Sequence, residues 1–289
     1  MDGDYSIVPE ESRLLDSWDV IVMLALLSTA VLLPIELAFF QGDALPLFHV
    51  ADKVVNAIFI GDILMTFNVA YTVPNSMTND HYEKAPLKIA RNYTAVPCSN
   101  GGASGWFWMD LFTVFPWDLI GFSSIRAVQF CRLLRMVRLV RVIKLCNRWH
   151  SRVGISYAML NITKCAALTL GVLHWITCAW GWVALSSADG DVETWLTKYL
   201  GDNFDERPYV GASDVYSLAM YFSVMTLTGV GYGDVNPSGT PEVQLSIVTM
   251  FGSGFMWAWV IANVVNVVNN LDHYTTYFQQ LSDDLNLLM

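Results

Sequence analysis

The run Thr228-Gly229-Val230-Gly231-Tyr232-Gly233 places a glycine at every second position. That spacing suits a backbone that turns successive carbonyls to one side, because glycine adopts left-handed angles at little cost. Rings of such carbonyls, contributed by four copies of a loop, replace the water shell of a potassium ion. The run therefore predicts potassium held at Thr228, Gly229, Val230, Gly231, Tyr232 and Gly233 by backbone oxygens. Thr226 and Asp234 flank it, with Asp234 expected at the outer mouth. Tyr232 is expected to face away from the ion and brace against Tyr221 or Phe222. The plain alternative is a glycine-rich surface turn. Against it, Ser213 to Met225 reads as a short helix just ahead, and long apolar stretches lie on both sides. Non-helical backbone survives at membrane depth only where protein buries it or water lines it. A short helix that dips in and returns through glycines therefore implies a pore.

A second pattern is basic. Arg132, Arg135, Arg138, Arg141 and Lys144 recur at every third position, Arg126 shares the register, and the residues between are mostly apolar. On an α-helix this spacing winds slowly around the axis; on a 3₁₀ segment it forms one straight stripe. Arginine keeps its charge in a membrane because its pKa is so high. A charged helix that moves in the field gains about 2.3 kcal/mol per charge per 100 mV, so three or four charges supply roughly 7–9 kcal/mol. A basic amphipathic helix on a membrane surface is the alternative, but such helices rarely keep strict threes. Buried cations need partners. Asp62 and Asp110 supply acids, and Phe59 stands one turn before Asp62 on the same helix face.

The elements that must position these residues are apolar. Hydrophobic types make up 54% of the 289 residues and charged types 15%, a membrane composition. Six spans are expected, near residues 18–40, 50–73, 105–122, 123–148, 165–188 and 243–271. The last is longer than a bilayer needs and should tilt or run on as a helix. The N-terminus lacks the basic start of a signal peptide, so the first span reads as a retained anchor. Short-loop basic residues (Lys84, Lys88, Arg91, Arg148, Arg152) favour cytoplasmic termini. A glycan on the Asn92 sequon would break that topology. The net charge is −10, with acids gathered between Asp189 and Asp214. They read equally as a cation-concentrating vestibule or as a solvated loop. The five cysteines read as buried apolar residues.

With these residues in place, the chain resembles voltage-gated potassium channels. Details favour the branch holding ether-à-go-go channels, plant inward rectifiers and cyclic-nucleotide-gated channels. Asp110-Leu-Phe-Thr-Val-Phe-Pro116-Trp-Asp118 is similar to that branch's third span. Arg138-Leu-Val-Arg141-Val is similar to its fourth, His174-Trp175 to its fifth and Ile261-Ala262-Asn263 to its sixth. The resemblance implies that Phe59, Asp62 and Asp110 form the charge-transfer site. It also implies an outer divalent site at Asp52 and Asp118, although Asn56 stands where a further acid is usual. The short link after Arg148 resembles the arrangement in which each sensor lies beside its own pore. The family usually has Thr, Ser or Cys where Gly229 stands, so the innermost site lacks a side-chain ligand.

The expected fold is an all-α membrane protein with six transmembrane helices. It pairs a four-helix voltage sensor with a two-helix pore carrying a re-entrant helix and filter loop, in a tetramer. The expected parts are a cytoplasmic segment 1–17, the sensor 18–148, a linker 149–158, the pore 159–271 and the start of a cytoplasmic linker 272–289. Gly252 and Gly254 read either as gate hinges or as close-packing residues. The expected partners are the lipid bilayer, three further subunits and potassium as permeant ligand, at the plasma membrane, with no cofactor, nucleic acid or enzymatic chemistry. The expected function is a voltage-gated potassium channel subunit. A weakly selective cation channel and a non-conducting regulatory subunit are the alternatives.

Overall fold

The computed structural model describes residues 7–8, 12–40, 46–72, 82–95, 106–115, 133–142, 157–187, 193–203 and 211–288. It is mostly helical. The chain forms two compact units, Met1–Arg152 and Val153–Met289.

In the first unit, α1 spans Arg13–Phe39. It starts where the Ser12 hydroxyl accepts from the Leu15 amide, relieving one of the orphan N–H groups of a helix start. Pro34 sits inside the helix, and the Phe40 amide closes it on the Glu36 carbonyl. Val22, Ala25 and Leu26 lie on one face and pack against Val55 and Phe59 of α2, Pro46–Thr66. The periodicity in the sequence runs on to Val73, but α2 stops at Thr66. There the chain turns, with the Asn68 amide on the Met65 carbonyl. Val69 then bridges Ile7, and β1 (Tyr71–Thr72) pairs antiparallel with β2 (Tyr82–Glu83). Backbone bonds to a second strand replace helical ones at this point, and β-branched Val69 favours them.

After β2, α3 covers Pro86–Thr94 with proline at its start, where the missing N–H costs nothing. Next come α4, Trp106–Val114, and a 3₁₀ segment, Arg135–Val140.

In the second unit, α5 (Tyr157–Ser187) and α8 (Thr240–Leu288) pack on each other and on the shorter α7 (Ala212–Leu227). A nine-residue helix, α6, covers Trp195–Asn203. Trp180 of α5 stacks on Phe222 of α7 at 3.9 Å between ring centroids, and on Trp195 at 5.8 Å. At the far end Asn161 donates to Asn263 at 3.2 Å. Helix α8 has 49 residues, about 73 Å at 1.5 Å per residue. It thus continues well past the expected end near residue 271.

Among the described residues, three helices are long and apolar enough to cross a membrane: Arg13–Phe39, Asn161–Ser187 and Thr240–Asn269.

Candidate functional site

The glycine loop hangs from the C-terminus of α7. Thr228 caps that helix, its amide and hydroxyl both donating to the Val224 carbonyl at 3.0 and 2.8 Å. The next amides turn back on the helix as well. Gly229 donates to the Thr226 carbonyl at 3.2 Å, and Val230 and Gly231 both donate to Met225 at 3.0 and 3.2 Å. Thr226 therefore acts here through its carbonyl. Backbone φ is +75° at Gly229, +58° at Gly231 and +79° at Gly233, angles that side-chain-bearing residues rarely adopt. With the first amides spent on α7, no protein donor among the described residues pairs with the carbonyls of Gly229 to Tyr232. The negative end of the α7 dipole also lies at this loop, a setting that favours cations.

The far side of the loop is braced. Tyr232 stacks parallel to Tyr221, with centroids 6.4 Å apart and planes within 1°. The Tyr221 hydroxyl donates to Asp234 at 2.7 Å. That bond holds the Asp234 carboxyl below its ordinary pKa. The same carboxylate accepts from the Val235 amide at 3.0 Å, and Asn236 donates to the Gly233 carbonyl at 3.3 Å. Of the two aromatic braces expected, Tyr221 lies against Tyr232, whereas Phe222 stacks on Trp180.

One anchor was not read from the sequence. The Glu242 carboxylate, 1% exposed, accepts from the amides of Trp195, Ser238 and Gly239 at 2.9–3.2 Å. It ties α6 to the start of α8. Proline at the helix start with a glutamate just after it is the signal that marks such a cap.

In the first unit, three arginines of the ladder are buried, with exposures of 8%, 2% and 4% at Arg135, Arg138 and Arg141. Arg135 pairs with Asp52 at 2.6 Å. Arg138 donates to Asn56 at 3.1 Å, to the Thr113 carbonyl at 3.3 Å and to the Arg135 carbonyl at 3.0 Å. Arg141 donates to the Asp110 carbonyl and the Thr113 hydroxyl at 3.0 and 2.9 Å, while its Nε lies 2.7 Å from Asp110 Oδ1. Fully buried Phe59 has both guanidiniums against its ring, Arg138 at 5.1 Å and Arg141 at 4.7 Å from the centroid. Those are cation–π distances. The 3₁₀ geometry at Arg135–Val140 lines up residues three apart, which brings these side chains onto one track.

Of the three expected charge-transfer residues, the structure brings Phe59 and Asp110 together with arginines. Asp62 instead accepts from the Trp18 indole at 3.3 Å. Asp52 pairs with Arg135 and also accepts from Asn56 at 3.4 Å. Arg126, Arg132, Lys144 and Asp118 lie outside the described residues. A cavity of about 30 Å³, bounded by Glu36, Asp52, Arg135 and Arg138 among others, has room for water beside the Arg135–Asp52 pair.

A family model described as "Ion transport protein" matches residues 15–276. The chain is similar to the voltage-gated inwardly rectifying potassium channel KCNH6 of Rattus norvegicus, at 28% identity over 282 residues, covering 88% of this chain and 27% of that protein. It is also similar to the voltage-gated inwardly rectifying potassium channel KCNH2 of Sus scrofa, at 30% identity over 276 residues, covering 88% of this chain and 22% of that one. The chain thus spans about a quarter of the length of these curated relatives.

Proposed function

The chain belongs to the ion transport protein family, and from that premise we propose that it is one subunit of a tetrameric voltage-gated potassium channel. It is a transport protein and not an enzyme. The observation that carries the reading is the loop after α7. Three glycines with positive φ and amides folded back on the helix leave a run of carbonyls free for a dehydrated ion. In this reading Thr228 to Gly233 bind potassium, and Thr226 and Asp234 support the loop.

The ladder carries the gating charge: Arg126, Arg132, Arg135, Arg138, Arg141 and Lys144. Phe59 and Asp110 form the transfer site, with Asp62 further along α2. Partnered guanidiniums on the ring of Phe59 support this, because a buried charge moves only if each position offers it a new partner. Asp52 serves the ladder as an anion for Arg135, and with Asp118 it remains the proposed outer divalent site. Six spans, with the sensor at 18–148, the linker at 149–158 and the pore at 159–271, put both termini in the cytoplasm of a plasma-membrane channel.

Gly229 supports a second reading, a weakly selective cation channel, since the innermost site has no hydroxyl or thiol to add to its carbonyls. Expressing the chain alone and varying external potassium separates these. A reversal potential that follows potassium near the Nernst slope supports strict selectivity. A shallow slope supports the weakly selective channel, and no current at any voltage leaves the non-conducting subunit.

A further inference from the structure

Tyr93 belongs to α3 and not to any span, yet it is 6% exposed. Its ring meets Phe67 edge-on at 5.1 Å and Phe107 at 5.6 Å between centroids. Its hydroxyl donates to Asp110 Oδ2 at 2.5 Å. Burial, then the Asp110 charge, raises its pKa, so the hydroxyl stays a donor at neutral pH. The two oxygens of Asp110 are therefore divided. Oδ1 faces Arg141 Nε at 2.7 Å, and Oδ2 is taken by the tyrosine.

That division matters because of what arginine and carboxylate otherwise do. A free carboxylate frequently takes a guanidinium with both oxygens, in a planar two-bond fork that is stronger than a single contact. A fork is a poor stepping stone for a charge that must move on. With Oδ2 held by the tyrosine, the carboxylate is fixed in a rotation that presents Oδ1 alone to the guanidinium, and Arg141 Nη2 turns to the Asp110 carbonyl and the Thr113 hydroxyl instead.

We propose that Tyr93 is a positioning residue of the charge-transfer site, whose hydroxyl occupies one oxygen of Asp110 and so keeps each passing arginine from locking into a two-bond fork. This rests on the sensor reading above. It also assigns α3 a part in sensor movement, because α3 holds the tyrosine in place: the Trp108 indole donates to the Thr94 carbonyl at 3.2 Å.

The test is the kinetics of gating charge in the full chain expressed in a membrane, with Tyr93→Phe, Arg141→Lys and the double variant. Phenylalanine keeps the aromatic packing and frees Oδ2, so the fork with Arg141 forms. Charge should then leave the described position roughly tenfold more slowly, in one direction only, the scale of one added charge-assisted bond. Lysine is a point charge that makes no fork. In the Arg141→Lys background the same Tyr93→Phe change should therefore have little effect. Lysine and phenylalanine both preserve the ladder's charge count, so the total charge moved reports that the sensor is folded. Equal slowing in both directions, no slowing, faster movement, or the same effect in the lysine background would each overturn the proposal. Absence of any gating charge in the unaltered chain would instead overturn the sensor reading itself.

Discussion

Glu242→Gln removes a buried charge at the junction of α6 and α8. The carboxylate serves three amides: Trp195 at 3.1 Å from each oxygen, Ser238 at 2.9 Å and Gly239 at 3.2 Å. Glutamine keeps one oxygen for them and turns an NH₂ toward the rest. One hydrogen bond to a charged group, roughly 1.5–3 kcal/mol, is lost, and one buried donor is left without an acceptor for about 1–3 kcal/mol more. The expected destabilisation is about 3 kcal/mol, toward the lower end of the summed range. At roughly 2–4 °C per kcal/mol, the melting temperature should fall by roughly 6–12 °C. Tryptophan emission of the purified protein in lipid nanodiscs follows the transition, because Trp180 and Trp195 stack at this junction. The reversal potential should not change, since the hydrogen-bond partners of Glu242, at Trp195, Ser238 and Gly239, lie outside the glycine loop. A melting temperature equal to that of the unaltered chain would rule out Glu242 as the anchor of this junction.

Gly229→Thr offers the innermost site a hydroxyl at a backbone with φ +75°. It should raise potassium-over-sodium permeability while lowering yield, because a β-branched residue there carries roughly 1–3 kcal/mol of strain; an unchanged permeability ratio argues against a side-chain role. The Tyr221 bond lowers the Asp234 pKa from 3.8. A depressed carboxylate keeps its contribution above the ordinary value and loses it only as pH falls through the lowered one. Tyr221→Phe should therefore move acid loss of conduction to higher external pH, which current recorded during an acid titration would show. Neutralising Arg135 and Arg138 together removes two charges worth about 2.3 kcal/mol each per 100 mV. The voltage dependence should become shallower, and unchanged steepness would remove both from the gating charge.

Much of the candidate site lies in local order. Glycine at alternate positions dictates which residues adopt positive φ, because only glycine lacks the Cβ that forbids it. The spacing of three among Arg135, Arg138 and Arg141 likewise suits the 3₁₀ turn that the structure shows there. Apolar runs at residues 13–39, 161–187 and 240–269 announce membrane-length helices by composition alone. These features need no partner distant in sequence, so they are legible residue by residue.

Pairings are different, because a sequence does not state which distant side chain meets which. Phe59 and Asp62 read as one unit, one turn apart. Packing gave Phe59 two guanidiniums and gave Asp62 the indole of Trp18, a residue 44 positions away. Asn56, by type a missing acid, meets Arg138 across 82 positions. Helix α2 ends at Thr66 although apolar residues continue, because the amide of Ala70 finds the Ile7 carbonyl. Tyr93 resembles an ordinary linker aromatic until α3 folds it onto Asp110. Composition and spacing therefore determined the glycine loop, the long apolar helices and the charged stripe. Only tertiary packing decided which partner each charge received, since a buried ion is stabilised by whatever the fold brings within a few ångströms.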